Sequence, residues 1–489
     1  MRRKVGIIGS GFSSLSAACH LAKSGYEVTV LEKNSGPGGR ARQLKQSGYT
    51  FDMGPSWYWM PNVFERFFAH FDKTPSDYYK LHRLDPSYRV KFQDQYVDLP
   101  ADLQQLYNLF ESIEDGSAEK LKIFLKQAEY KYEVGINKLV YKPSRSLTEF
   151  LDPALLTGLF KMDVFTSMSS HIRKFFKDEK LIQLMEFPVL FLGSTAESTP
   201  ALYSLMNYAD IKLGTWYPEK GMFEVVRAME TLAKDLGVRF HYNQPVKEMA
   251  FQGKSVEKLI TPDNEFPVDV VVAGADYHYV DQQLLPENFR SYTQKYWDSR
   301  IMAPSSLLFY IGLNTKLPGM LHHVLFFDED FKQHASDIYV DPKWPKKPLL
   351  YASVTSKTDP AVAPANGENL VVLIPVAPDL EDTEEIREKY FDLIVNKLFV
   401  FTGVDIRSHI VYKKSFAHKD FISDYHSFKG NAYGLANTLL QTAILRPSLK
   451  NKKVKNLYHT GQLTVPGPGV PPAIISGEVV SREIEREFS

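Results

Sequence analysis

The sequence predicts an α/β protein whose nucleotide-binding sheet is discontinuous in sequence and is accompanied by an α+β domain. Three observations predict it. A glycine turn joins an apolar strand to a small-residue helix at the N-terminus. A second glycine cluster follows the next strand, and a Pro/Gly loop opens a helix near the C-terminus.

The first unit begins with the apolar run Lys4 to Ile8, read as a buried parallel strand. Gly9-Ser10-Gly11-Phe12-Ser13-Ser14 follows, then a helical pattern closing at Gly25. Tyr26 to Leu31 is the second strand, ending at Glu32. Gly9 permits the tight turn, and Gly11 lets a diphosphate approach the backbone. The amides of Phe12 and Ser13 open the helix and point at that charge. Glu32 lies at the strand end, where a carboxylate can bond both ribose hydroxyls and repel a 2′-phosphate. Ser14 stands where the usual fingerprint has a third glycine.

After Glu32 comes Lys33, and then Gly38-Gly39-Arg40. A simple NAD domain has no use for this second cluster. FAD is longer, and its ribityl phosphate must pass close to backbone. The arrangement resembles the glutathione-reductase and amine-oxidase superfamily, which implies a Rossmann-like FAD-binding domain with Arg40 on the diphosphate. Met53-Gly54-Pro55-Ser56 is similar to that superfamily's segment beside the flavin. Gly237 to His241 begins a strand, and Pro245-Val246 resembles the segment at the adenine end. Asp269 to Asp276 reads as a buried strand. No second glycine fingerprint follows, so a separate NAD(P)H domain is not expected.

At the C-terminus, Asn456 to Gly461 is a short strand. A stiff loop runs from Gln462 to Pro472, and a helix starts near Pro471 or Pro472. A helix N-terminus here opposes negative charge on a reduced flavin ring. At this point the chain resembles the bacterial-type phytoene desaturase family. Asn456, Tyr458, Gly461, Thr464, Pro466, Gly467, Gly469 and Val470 match its signature. Gln462, Leu463, Val465 and Pro468 depart from it. The resemblance implies FAD as cofactor, an apolar carotenoid substrate, and a quinone or oxygen as electron acceptor. It implies phytoene as substrate and lycopene-type products.

Composition sets outer bounds. The chain has 489 residues, enough for two or three domains. Lys+Arg and Asp+Glu both number 58, so no global field draws nucleic acid. The single cysteine, Cys19, excludes a redox-active cysteine pair. Met1-Arg2-Arg3-Lys4 has the charge of a signal start, but Gly9 to Gly11 break the apolar stretch behind it. No apolar run reaches the ~20 residues of a membrane span. A cytoplasmic protein, peripheral to the membrane, is expected. Residues 1–80, 216–300 and 435–489 are expected to form the FAD domain. Residues 81–215 and 301–434 are expected to form the substrate domain.

A carotene offers no polar handle, so recognition must come from cavity shape. Two aromatic-rich stretches suit a membrane lip or tunnel, or equally a helical core. One is Trp57 to Met60 with Phe64, Phe67, Phe68 and Phe71; the other is Phe150 to Phe176. Glu149 and Asp152 are weak candidates for a proton acceptor, with solvated helix carboxylates the stronger reading. His322, His323 and His459 read as structural, with no metal-ligand spacing around them. The flavin itself carries the chemistry. Competing expectations are a hydroxycarotenoid 3,4-desaturase, a carotenoid isomerase or a polyene saturase on the same scaffold. Remoter ones are an amine oxidase and a non-enzymatic prenyl-lipid escort.

Overall fold

The computed structural model describes residues 2–146, 149, 163, 165–193 and 195–488. Two sheets position the site. Their strands are β1 (Lys4–Ile8), β2 (Glu27–Leu31), β3 (Tyr88–Lys91), β4 (Tyr96–Leu99), β5 (Arg239–His241), β6 (Val270–Ala273), β7 (Ser305–Leu313), β8 (His323–Phe326), β9 (Leu350–Ser353), β10 (Glu368–Val376), β11 (Ile410–Phe416) and β12 (Leu457–His459). Five helices matter here: α1 (Phe12–Lys23), α2 (Pro61–Ala69), α3 (Phe223–Asp235), α4 (His418–Tyr425) and α5 (Val470–Phe488).

The first sheet is parallel, in the order β12-β6-β1-β2-β5. Its strands come from the start, middle and end of the chain. β6 is buried throughout, and β1 everywhere but its first residue, the pattern of a sheet covered on both faces. Helix α1 carries the chain from β1 to β2, and ten of its twelve residues are buried. Small side chains let α5 lie close, and Ser16 Oγ donates to the Ile474 carbonyl at 2.7 Å. Ser14 is fully buried, and its room is made at the end of β6. A Cβ added at Gly274 would fall 1.9 Å from Ser14 Oγ. The glycine missing from the turn is thus replaced across the sheet.

The second sheet runs β11-β7-β10-β9-β8-β3-β4. All its pairs are antiparallel except β8 with β3. β7 is buried along its whole length. Leu307, Phe309, Ile311 and Leu313 face one core, and Leu308 and Tyr310 face another, as strand alternation requires. That second core includes Tyr49, Phe51 and Met53. Tyr310 Oη donates to the Met53 carbonyl at 2.8 Å, which ties this sheet to the segment expected beside the flavin.

One expectation changes and one open alternative is decided. The strand expected from Gly237 starts at Arg239, because Gly237, at φ +89°, closes the turn after α3. The phenylalanines of the first aromatic stretch are core: Phe64, Phe67, Phe68 and Phe71 are all buried. α2 presents them inward, with Phe67 edge-on to His20 of α1 and Arg66 bonded to Glu478 of α5 at 3.3 Å. They form no membrane lip. Most of the second stretch, with Asp152, lies outside the described residues; within it Met168 and Phe176 are buried and Phe165 is exposed.

Candidate active site

One cavity of about 540 Å³ joins the two sheets. Its wall contains every position singled out above for the cofactor. These are Gly9, Gly11, Phe12, Ser13, Glu32, Lys33, Gly38, Gly39, Arg40, Met53, Gly54, Pro55, Ser56, Val246, Gly461, Pro466, Gly467, Gly469 and Val470.

At the N-terminal end the wall is built of backbone. Gly9 has φ +88°, and a Cβ added there would crowd the Ala275 amide at 3.3 Å. A Cβ at Gly11 would meet no described atom within 4 Å, so the backbone there lies open to the cavity it lines. Gly39 rests on Gly11, where an added Cβ would lie 3.3 Å from Gly11 Cα. Gly54 rests on Arg40, where an added Cβ would lie 2.2 Å from its carbonyl oxygen. Three glycine clusters, distant in sequence, thus stack without intervening side chains. Gly11 caps α1 with no side-chain hydrogen bond, which leaves the first-turn amides for an anion.

Glu32 is buried and doubly held. Its Oε2 accepts the Ser10 amide at 2.9 Å and the Ser10 hydroxyl at 2.7 Å; its Oε1 accepts the Asn34 amide at 2.8 Å. The carboxylate is fixed at the end of β2, facing the cavity.

Arg40 donates to Ser427 Oγ at 2.8 Å and to the Asn431 carbonyl at 3.4 Å. With its carboxamide oxygen toward Arg40, Gln462 accepts at 3.2 and 2.9 Å. Gln462, a departure from the family signature, therefore meets the second glycine cluster's arginine. Among the described residues no carboxylate lies within ion-pair distance of Arg40. A half-buried cation whose hydrogen-bond partners are all neutral suits an anion, and a diphosphate fits. Asp276 is near; burial raises its carboxyl to about 6.

At the C-terminal end, Gly461 to Val470 forms the wall and α5 points its N-terminus inward. Behind Gly467 sits Arg446, which the sequence reading missed. Arg446 is buried and donates to the carbonyls of Leu435 and Gln462 at 3.3 and 3.2 Å, and to the Asn437 side chain. Burial lowers its guanidinium to about 10. A lone arginine in a loop carries no sequence signal; only its neighbours reveal it. A fixed positive charge and a helix N-terminus at one edge suit a ring that gains negative charge.

Much of the remaining wall is apolar, with the tyrosines Tyr203, Tyr339, Tyr351 and Tyr433 among it. Trp57, Trp59, Met60, Phe187, Leu205, Leu325, Phe327 and Leu373 line it. The cavity's Asp, Glu, Lys and Arg liners are Glu32, Lys33, Arg40, Asp276, which interacts electrostatically with Arg40, and Asp424, which pairs with Arg42. Glu149 is not in the wall. Its carboxylate accepts the amides of Ser144 and Arg145 at 2.9 and 3.0 Å and closes its own turn. His322, His323 and His459 are buried, but they are less satisfied than expected: both ring nitrogens of His459 and Nε2 of the other two have no partner.

A family model described as flavin containing amine oxidoreductase matches residues 12–485. The chain belongs to that family. FAD is the cofactor of this flavin-containing oxidoreductase. A carotenoid 3,4-desaturase from Haloarcula japonica is 42% identical, over 97% of this chain and 96% of that protein. A zeta-carotene-forming phytoene desaturase from Myxococcus xanthus is 32% identical, over 99% of this chain and 94% of that one. Among solved structures, cyclohexylamine oxidase from Brevibacterium oxydans shares the fold of this flavin-containing oxidoreductase. Its TM-score is 0.59 at 14% identity, over 99% of this chain and 100% of that one.

Proposed function

We propose that this flavoprotein is a carotenoid desaturase, and that the nineteen wall positions named above hold its FAD. The observation that carries this reading is the single cavity, which runs from a charged nucleotide grip into an apolar slot with no charged side chain. An amine substrate would be poorly served there, while a polyene needs only length and shape. The division into residues 1–80, 216–300 and 435–489 for FAD, and 81–215 and 301–434 for substrate, follows the same reading.

When bound, FAD supplies a hydride acceptor. The protein's share is electrostatic and steric. The first turn of α1 and Arg40 hold the diphosphate, and Glu32 holds the ribose. The N-terminus of α5 and Arg446 oppose negative charge at the far edge. Trp57, Trp59 and Phe187 exclude water from the carbon that becomes cationic.

Phytoene was the first substrate expected. The 42% identity to a 3,4-desaturase, against 32% to a phytoene desaturase, favours desaturation near the end of an already conjugated chain. No helix among the described residues is long and apolar enough to cross a membrane. Delivery from a bilayer instead suits an exposed apolar surface at Ile301 and Leu440, 55% and 77% accessible. Ile301 bonds to Gln441 at 2.9 Å, and Asn437 of the same loop lines the cavity. A quinone or oxygen would then reoxidise the cofactor.

The test is incubation of the purified holoprotein with liposomes carrying phytoene or a hydroxylated carotenoid, followed by visible absorption. The expected result is a shift to longer wavelength as conjugation extends. Flavin bleaching by amines, with both polyenes left unchanged, would overturn the reading.

A further inference from the structure

Tyr351, in the cavity wall, is hydrogen-bonded to His323 behind it, and the pair has no part in the steps above. β8 and β9 pair antiparallel with Leu325 opposite Tyr351, so His323 is the diagonal neighbour of Tyr351 on one face. Tyr351 Oη donates to Ser56 Oγ at 2.9 Å and lies 2.6 Å from His323 Nδ1, so a turn of the hydroxyl carries its proton from Ser56 to the imidazole. Tyr351 and Ser56 line the cavity where the glycine-built end meets the apolar slot. His323 stacks on Trp57, with centroids 4.0 Å apart and planes 12° apart. Its Nε2 has no hydrogen-bond partner among the described residues.

His334, which lines the cavity itself, is differently placed. His334 Nδ1 accepts the Leu349 amide at 3.0 Å, and its Nε2 donates to the Pro375 carbonyl at 2.8 Å. Both nitrogens are committed, so His334 has no site for another proton. Among the described residues, Tyr351 and His323 are the one tyrosine–imidazole hydrogen bond at this cavity.

Resting on the desaturase reading, we propose that Tyr351 accepts the proton the substrate loses, and that His323 takes Tyr351's own proton. Hydride loss to the cofactor has by then left a cation on the polyene. The adjacent C–H bond breaks, and its electron pair becomes the second bond of the new C=C. The proton goes to Tyr351 Oη, whose original O–H bond breaks as N–H forms at His323 Nδ1. The positive charge moves from substrate carbon to imidazolium, and nothing is oxidised or reduced in this step. Trp57 faces the charged ring and stabilises it.

Burial holds the His323 imidazole well below its usual range, so it waits in its neutral form. That makes it a weak base, and a weak base is enough. A proton beside a polyene cation is far more acidic than any imidazolium, and a weakly held proton is readily released for the next cycle.

The experiment compares wild-type holoprotein with Tyr351→Phe, His323→Gln and the double variant on the same liposome substrates. Flavin bleaching in an anaerobic single turnover reports hydride loss, and chromatography reports the products. His323→Gln keeps an acceptor for the tyrosine but no basic nitrogen, so it tests the relay even where Tyr351→Phe disturbs the cavity. The expected result is retained bleaching with alkene formation down ~100-fold in each single variant, the scale of a positioned general base. Alcohol from water capture of the cation should rise, and the double variant should be no worse than either single one. Alkene formation in His323→Gln close to wild type, with no alcohol, would overturn the proposal. Wild-type protein that desaturates neither polyene would instead remove the desaturase reading, and the relay with it.

Discussion

A Cβ added at Gly477 would fall 2.4 Å from the carbonyl oxygen of Ser13. Helices from opposite ends of the chain therefore touch backbone to backbone. That contact sets the N-termini of α1 and α5 on one cavity, one at the diphosphate grip and the other at the opposite edge. Ser16 bonding to the Ile474 carbonyl, and Ser481 to the Ala17 carbonyl at 3.3 Å, continue the seam.

Gly477→Ala should therefore cost both stability and cofactor. The new methyl would meet the Ser13 carbonyl and, at 2.7 Å, the Ala17 amide, neither of which can swing aside. Overpacking against backbone costs ~1–3 kcal/mol. Thermal melting should show the loss, and flavin absorbance per chain should fall with it.

Glu32→Gln should weaken FAD binding. The carboxylate accepts on both oxygens, so an amide NH₂ must face either Ser10 or Asn34 donors. A donor left opposite a donor in a buried site costs ~1–3 kcal/mol, and a rotation of the side chain that relieves it takes an acceptor from the ribose, for a loss of roughly five- to 150-fold in affinity. Fluorescence titration of FAD into the apoprotein measures it. Unchanged affinity would exclude Glu32 from the ribose site.

Arg40→Met should act with opposite signs on two measurements. Without a carboxylate partner, the half-buried guanidinium costs the apoprotein desolvation energy that a similar apolar side chain does not. Apoprotein stability should hold or rise, while FAD affinity falls. Chemical denaturation of the apoprotein and FAD titration separate the two. A fall in both would mean that Arg40 acts mainly as a strut.

Asp210 gives a pH signature. Burial raises its carboxyl to about 7 from an ordinary 3.8. Tyr88 Oη donates to it at 2.7 Å and Thr215 Oγ1 at 3.2 Å. Between those values the folded chain holds a proton that the unfolded chain has released, so this residue lowers stability as pH rises from about 4 to about 7. Asp210→Asn needs no proton, and both hydroxyls can turn to suit the amide. Its stability relative to wild type should climb across that window and level off above it, in denaturant titrations at fixed pH. A constant difference would place the carboxyl's titration elsewhere.

The glycine positions were legible because their demands are local. Gly9, Gly38, Gly39, Gly461, Gly467 and Gly469 all have positive φ, a conformation a sequence can advertise without any partner. Strand β1 and helix α1 were legible for the same reason, through period and composition. The phenylalanines of α2 were not. An apolar stripe at helical spacing suits protein core and lipid alike, and only the packing of α2 against α1 and α5 decided for core. For Glu149 a non-catalytic carboxylate was the stronger expectation, but spacing could not show that it closes a turn by accepting the Ser144 and Arg145 amides.

By itself the sequence determined the nucleotide grip, the parallel strands behind it and the family, since these rest on backbone freedom, small residues and short-range order. The tertiary structure alone decided that Gln462 meets Arg40, that Gly274 makes room for Ser14, that Arg446 stands behind Gly467, and that His323 faces Tyr351. Each of those contacts depends on strand register or loop docking between segments far apart in the chain. No local pattern encodes such a distance, because it is fixed only when the two sheets close around a common cavity.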